Sequence, residues 1–222
     1  MIRVRPLLLA TALLLLARCQ PPEIPSGAYP AHNGITTTVF WVGEAACAAN
    51  RFSGNEQSAW DSKWLEHYGG VDDPDHRNGY FPAGFTPKEN PFYCALPYGD
   101  FDEHGRRASA GRVIYWAGEK VWSDTESMCK NRWIGITRGS RTAYAQWEDV
   151  GPFETDDSAY VFGPSRPRNV GNDSAGLDVS PAVRDYLGLT GRDKVDWQFV
   201  PLIVVPDGPW TLIVTTRQIC WQ

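Results

Sequence analysis

The chain has 222 residues with 21 Lys and Arg against 26 Asp and Glu, a formal net charge of −5. That balance, with no basic run, disfavours nucleic acid or an anionic membrane surface as partner. No segment reaches the about 20 consecutive apolar residues of a membrane-spanning helix.

The first residues carry Arg3 and Arg5, and the stretch from Leu7 to Ala17 is apolar. A basic start followed by a short apolar run reads as a signal peptide over residues 1–19. Cys19 invites a lipid anchor, although Arg18 stands where lipoprotein signals place a small residue. Residues 20–33 hold Pro21, Pro22, Pro25 and Pro30 among small and polar residues. Such a stretch buries too little apolar area to offset its ordering entropy and reads as a tether. The chain is therefore expected to be exported, as a periplasmic, outer-membrane-anchored or secreted protein. Residues 34–222 form one domain, expected to be monomeric.

Gly and Pro are frequent throughout, which shortens every element and makes turns frequent, as in small, mainly β barrels and sandwiches with short helices and long loops. Strands are predicted at Ile35–Val42, Arg112–Trp116, Arg132–Thr137, Thr142–Glu148, Lys194–Val200 and Thr211–Thr216, all rich in β-branched or aromatic residues. In Thr142–Glu148 the alternation puts Ala143, Ala145 and Trp147 on one face and Tyr144, Gln146 and Glu148 on the other. A helix is predicted over Asn55–Tyr68, where Trp60, Trp64 and Tyr68 recur every fourth residue before Gly69-Gly70, a stripe that reads as core packing. A second is predicted over Ser180–Leu187, with Ser180 as N-cap, Pro181 at the first helical position and Gly188 beyond the end.

Outside the leader stand Cys47, Cys94, Cys129 and Cys220. An even number in an exported chain reads as two disulfides, with Cys94–Cys129 and Cys47–Cys220 the favoured pairing. No CxxC spacing occurs and the His residues are scattered, so neither a metal nor another cofactor is expected. Counting from Asp73 puts Asn78 where a calcium loop needs Gly, which leaves the acidic stretch 72–75 as a solvated loop. No GxSxG elbow is present.

Two carboxylate positions stand out. A strand ends in Trp147-Glu148-Asp149 before Gly151-Pro152 turns the chain, and Asp178 precedes the capped helix by two residues. Strand ends and helix starts hold polar groups rigidly within reach of a substrate. The bland alternative has Asp178 capping the helix and Asp149 serving a turn.

The segments WEDVGPF (147–153) and GLDVSPAV (176–183), with YCALPYGD (93–100) upstream and VDWQFV (195–200) downstream, resemble the RlpA-like double-psi β-barrel family. The likeness spans roughly residues 91–200. It implies a six-stranded double-psi β-barrel, an architecture shared with expansins, family-45 endoglucanases and MltA-type lytic transglycosylases. It further implies a polysaccharide partner, peptidoglycan or a related glycan, with Asp149 and Asp178 lining the cleft. Two positions depart from the family pattern: Tyr93 stands where the enzymes carry His, and Val150 where Arg is usual.

On that reading Asp178 is the candidate general acid and Asp149 its ionised neighbour. Trp147, Tyr144, Tyr93 and Glu148 are candidate substrate-binding residues, since aromatic faces stack on sugar rings and Glu148 adjoins Asp149. The expected function is lytic transglycosylase-like cleavage of cell-wall polysaccharide. The alternatives are a non-catalytic, expansin-like carbohydrate-binding module and a structural envelope protein.

Overall fold

The computed structural model describes residues 30–221. The expected signal peptide, Cys19 and residues 20–29 of the tether lie outside them. Six strands close into one mixed barrel: β1 (His32–Val39), β2 (Tyr93–Leu96), β3 (Trp133–Arg138), β4 (Arg141–Val150), β5 (Leu177–Val179) and β6 (Asp193–Val200). Around the barrel the order is β1-β6-β3-β4-β2-β5. The pairs β1–β5 and β2–β4 are parallel and the other neighbours antiparallel. This is the six-stranded, mainly β architecture expected from the sequence, and closure leaves no free strand edge.

Alternation fills the interior. Ile35, Leu96, Ile134, Ile136, Ala143, Ala145, Trp147, Leu177, Val179, Val195, Trp197 and Phe199 are all buried in one apolar cluster. β1 begins at His32, inside the stretch read as tether, because its imidazole is buried and stacks on the Trp197 ring at 4.1 Å. Burial holds that imidazole neutral, lowering its pKa to about 4.

A second, smaller cluster covers the outside of β2. Phe40, Val42, Trp64, Tyr68, Tyr93 and Ala95 pack together there, with α1 (Trp64–Tyr68) supplying two of the rings. The aromatic stripe is buried as expected, yet the helix is much shorter than predicted. Residues 58–62 are used otherwise: Asp61 pairs with Cys220, the Ser62 N–H donates to the Cys220 carbonyl, and the Cys220 N–H donates to that of Trp60. Gly69, at φ +109°, ends α1 in a conformation few side chains tolerate.

The second helix, α2 (Pro181–Leu187), matches its prediction. The Ser180 hydroxyl accepts from the Val183 N–H at 3.3 Å, and Gly188 caps the end at φ +67°. Ser180→Ala should cost about 1 kcal/mol of stability, measurable by denaturant unfolding.

Two predicted strands are absent. Residues 112–116 follow a helical turn, Ala110–Val113, and Trp116 packs edge-on against Phe199 rather than joining a ladder. Residues 211–216 follow a 3-10 turn, Pro209–Thr211. There the buried Gln146 amide replaces a partner strand: its Oε1 accepts from the Thr215 N–H and its Nε2 donates to the Thr215 carbonyl. Among the described residues no helix is long and apolar enough to cross a membrane.

The four cysteines are free thiols, which corrects the expected pairing. Cys94 and Cys129 are fully buried in the barrel's apolar core, where they act as small hydrophobes. Desolvation raises both thiols well above their usual range, so they are unreactive. Cys47 is exposed and Cys220 half-buried. Counting cysteines ignores the Cβ separation of roughly 3.5–4.5 Å that a bridge demands.

Candidate functional site

On the outer face of the barrel, register sets a row of residues across four adjacent strands. Thr38 on β1 pairs with Asp178 on β5, Asp178 with Ala95 on β2, and Ala95 with Asp149 on β4. The two acids thus stand two strand spacings apart, about 9.5 Å between backbones, with a methyl group between them.

Asp149 reaches this face through a slip in the ladder. Trp147 pairs with Cys94 and Asp149 with Ala95, so Glu148 is an extra residue opposite none. Unbroken alternation would send Asp149 inward with Trp147. The bulge reverses the parity and turns it outward, the re-aiming that bulges commonly provide beside active sites.

This face forms the floor of a groove of about 950 Å³. Residues of the 44–60 segment form one wall, including Glu44, Arg51 and Trp60, and residues 99–107 and 149–155 supply Phe101, Arg107 and Phe153. Phe101 and Phe153 are half-buried, so part of each ring remains accessible. The Arg51 guanidinium lies 3.8 Å from the Phe153 ring centre, a cation–π contact joining the two walls.

The Ala59 N–H donates to Asp149 Oδ1 at 2.7 Å, and the Thr38 hydroxyl donates to Asp178 Oδ1. Asp178 Oδ2 lies against Gly151, where an added Cβ would stand 3.4 Å from it. Desolvation pushes Asp178 up to about 7, helped by the negative charges of Asp149 and Glu44 and opposed by the Thr38 hydroxyl. Desolvation also raises Asp149, to about 6, with the Ala59 and Val150 N–H groups opposing. At neutral pH one groove carboxyl is therefore about half protonated beside a mostly ionised neighbour. Ser180, not Asp178, caps α2, and Asp149 binds a distant wall segment.

Asp149 and Asp178 are brought together; the other four candidates do not line the groove. Trp147 is fully buried in the barrel, edge-on to Trp60 at 5.8 Å. Tyr144 packs on Trp210 at 5.1 Å. Tyr93 is buried on the outer face, its hydroxyl donating to Asp72 Oδ2 at 2.8 Å and accepting from the Val42 N–H at 3.0 Å. Glu148 is buried against the Lys130 ammonium. In its place the groove has Thr38, Glu44, Arg51, Phe101 and Phe153, which no local pattern marked. Only Phe153 lay within a recognised segment.

Lys130→Met would leave Glu148 buried without its counter-charge. Breaking such a pair costs about 3–5 kcal/mol, and because Glu148 already sits at about 7 the loss should be greater at pH 8 than at pH 6. Chemical unfolding at the two pH values checks this. No protein-family model and no curated protein matches this chain.

Proposed function

We propose that the groove cleaves a cell-wall polysaccharide, with Asp178 as general acid and Asp149 as its ionised neighbour. The supporting observation is the carboxyl of Asp178, held near pKa 7 on the floor of an open groove beside a second acid. A carboxylic acid protonated at neutral pH can deliver a proton to a glycosidic oxygen as oxocarbenium character develops. Asp149, ionised, stabilises positive charge on the sugar.

In the lytic transglycosylase-like course, protonated Asp178 gives its proton to the leaving oxygen and the bond to the anomeric carbon breaks. The resulting carboxylate then takes the proton of the sugar's own 6-hydroxyl as that oxygen attacks the anomeric carbon. The proton returns to Asp178, and no water is consumed. One carboxyl serves both half-reactions. Phe101 and Phe153 offer apolar faces to sugar rings, and Arg51 and Arg107 offer donors to hydroxyl or carboxylate substituents.

The test is incubation of the purified protein with peptidoglycan and with cellulose, followed by chromatography of soluble products. Release of fragments ending in an intramolecular anhydro ring supports the proposal; fragments with free reducing ends would indicate hydrolysis instead. A non-catalytic carbohydrate-binding module is the second reading, favoured by Tyr93, which stands where the resembled enzymes carry His and is buried away from the groove. Cosedimentation without any soluble product would select it.

The pH profile follows from the two acids. Asp178 must be protonated, so the rate falls as pH rises through about 7; Asp149 must be ionised, so it falls as pH drops through about 6. A narrow bell between these values is expected. Asp149→Asn should remove the acid limb, and the basic limb should move to lower pH because a negative neighbour is lost. A flat profile between pH 5 and 8 contradicts both assignments.

A further inference from the structure

Away from the two catalytic candidates, three different metal-ligating side chains converge where the C-terminal segment meets the groove wall. Asp61, His67 and Cys220 each offer an atom within 4.8 Å of the others. His67 Nδ1 lies 2.7 Å from Asp61 Oδ2 and 2.9 Å from Oδ1. Asp61 is fully buried, while His67 and Cys220 are half-buried. The backbone is fixed around them: Asp61 and Cys220 form a parallel bridge, closed by the Ser62 N–H to Cys220 carbonyl bond and the Cys220 N–H to Trp60 carbonyl bond, both 2.8 Å.

A fourth group lies within electrostatic reach. Glu89 is only 5% exposed, and neither of its carboxyl oxygens receives a hydrogen bond. Among the described residues its ion pair is a 3.4 Å approach by Arg217 Nε. Its charge interacts with those of Asp61, His67 and Lys130. Burying a carboxylate without donors is costly, and a cation would offset that cost. The neighbouring Lys130 ammonium is already engaged by Glu148.

We propose that Asp61, His67 and Cys220 bind a divalent zinc-type cation. The donor set of carboxylate, imidazole and thiolate suits zinc rather than calcium or magnesium, which take oxygen alone. Metal–ligand bonds of about 2.0–2.3 Å require the three donors to draw closer than they now stand. Binding exchanges the thiol proton of Cys220, released to solvent, for a sulfur–metal bond. The site is structural: it ties the C-terminal segment to residues 58–62, whose Ala59 N–H holds Asp149.

The experiment titrates the reduced full chain with zinc, and separately with cobalt. Expected are one ion per chain, release of a proton on zinc binding, a thiolate-to-cobalt charge-transfer absorption, and a zinc-dependent rise in melting temperature. Cys220→Ser should remove the absorption and weaken zinc binding at least tenfold, while Cys47→Ser, on an exposed loop, should change neither. His67→Gln is the second variant, should Cys220→Ser fail to fold, and should also weaken binding at least tenfold. Absence of stoichiometric binding by the wild-type chain overturns the proposal. So does unchanged affinity in a folded Cys220→Ser or His67→Gln variant.

Discussion

Asp178→Asn is expected to lower product release from a cleavable wall polysaccharide by about 10²- to 10⁴-fold while leaving cosedimentation with the polymer nearly intact. The amide keeps the shape of the side chain and can still accept from the Thr38 hydroxyl through its oxygen. It cannot donate and recover a proton. Asp149→Asn should reduce the rate less at its optimum, because it removes charge stabilisation rather than the proton donor. Because desolvation raises Asp178 to about 7, replacing this half-buried carboxyl by a neutral amide should not unfold the barrel. Equal melting temperatures for variant and wild type would attribute the lost rate to chemistry. Retention of more than a tenth of the wild-type rate by a folded Asp178→Asn protein would remove Asp178 from the mechanism.

Trp147→Ala is expected to destabilise the domain by about 3–5 kcal/mol, a large share of the roughly 5–15 kcal/mol that holds such a domain folded. The indole is fully buried among Trp60, Phe162 and Phe199. Its Nε1–H donates to the Asp149 carbonyl at 2.8 Å, so truncation both opens a cavity and frees the backbone at the bulge. Thermal unfolding should show a drop of roughly 6–20 °C. A subsite wall would behave in the opposite way, with melting unchanged and polysaccharide binding weakened. The two outcomes separate a barrel-core residue from a sugar platform in a single pair of measurements.

The segments read correctly share a property: their signals lie within a few residues of one another. The stop at Gly69-Gly70, the Ser180-Pro181 start of α2 and the alternation Ala143, Ala145, Trp147 need no knowledge of distant chain. The failures at 55–63, 112–116 and 211–216 are the reverse case. Their composition suits a helix or a strand, but their backbone groups are satisfied by a C-terminal residue, by helical turns or by the Gln146 amide. Cys220 and the Gln146 amide are far away in sequence and leave no periodic trace, whereas at 112–116 a local helical turn takes the backbone groups.

The same division runs through the groove. Composition and patterning by themselves pointed to short β elements, with acids at a strand end and before a capped helix marked locally by turn and cap residues, and the motif resemblance pointed to a barrel with Asp149 and Asp178 in one cleft. Tertiary structure alone decided which side chains accompany them. The one-residue slip at Glu148 inverts the facing of everything beyond it, sending Asp149 to the groove and leaving Trp147 inside. Tyr93 and Tyr144 are likewise claimed by Asp72 and Trp210. The cysteines followed neighbours rather than number, two becoming apolar filling and one meeting Asp61 and His67. A facing depends on which residue a strand pairs with, and the partner is supplied by another part of the chain.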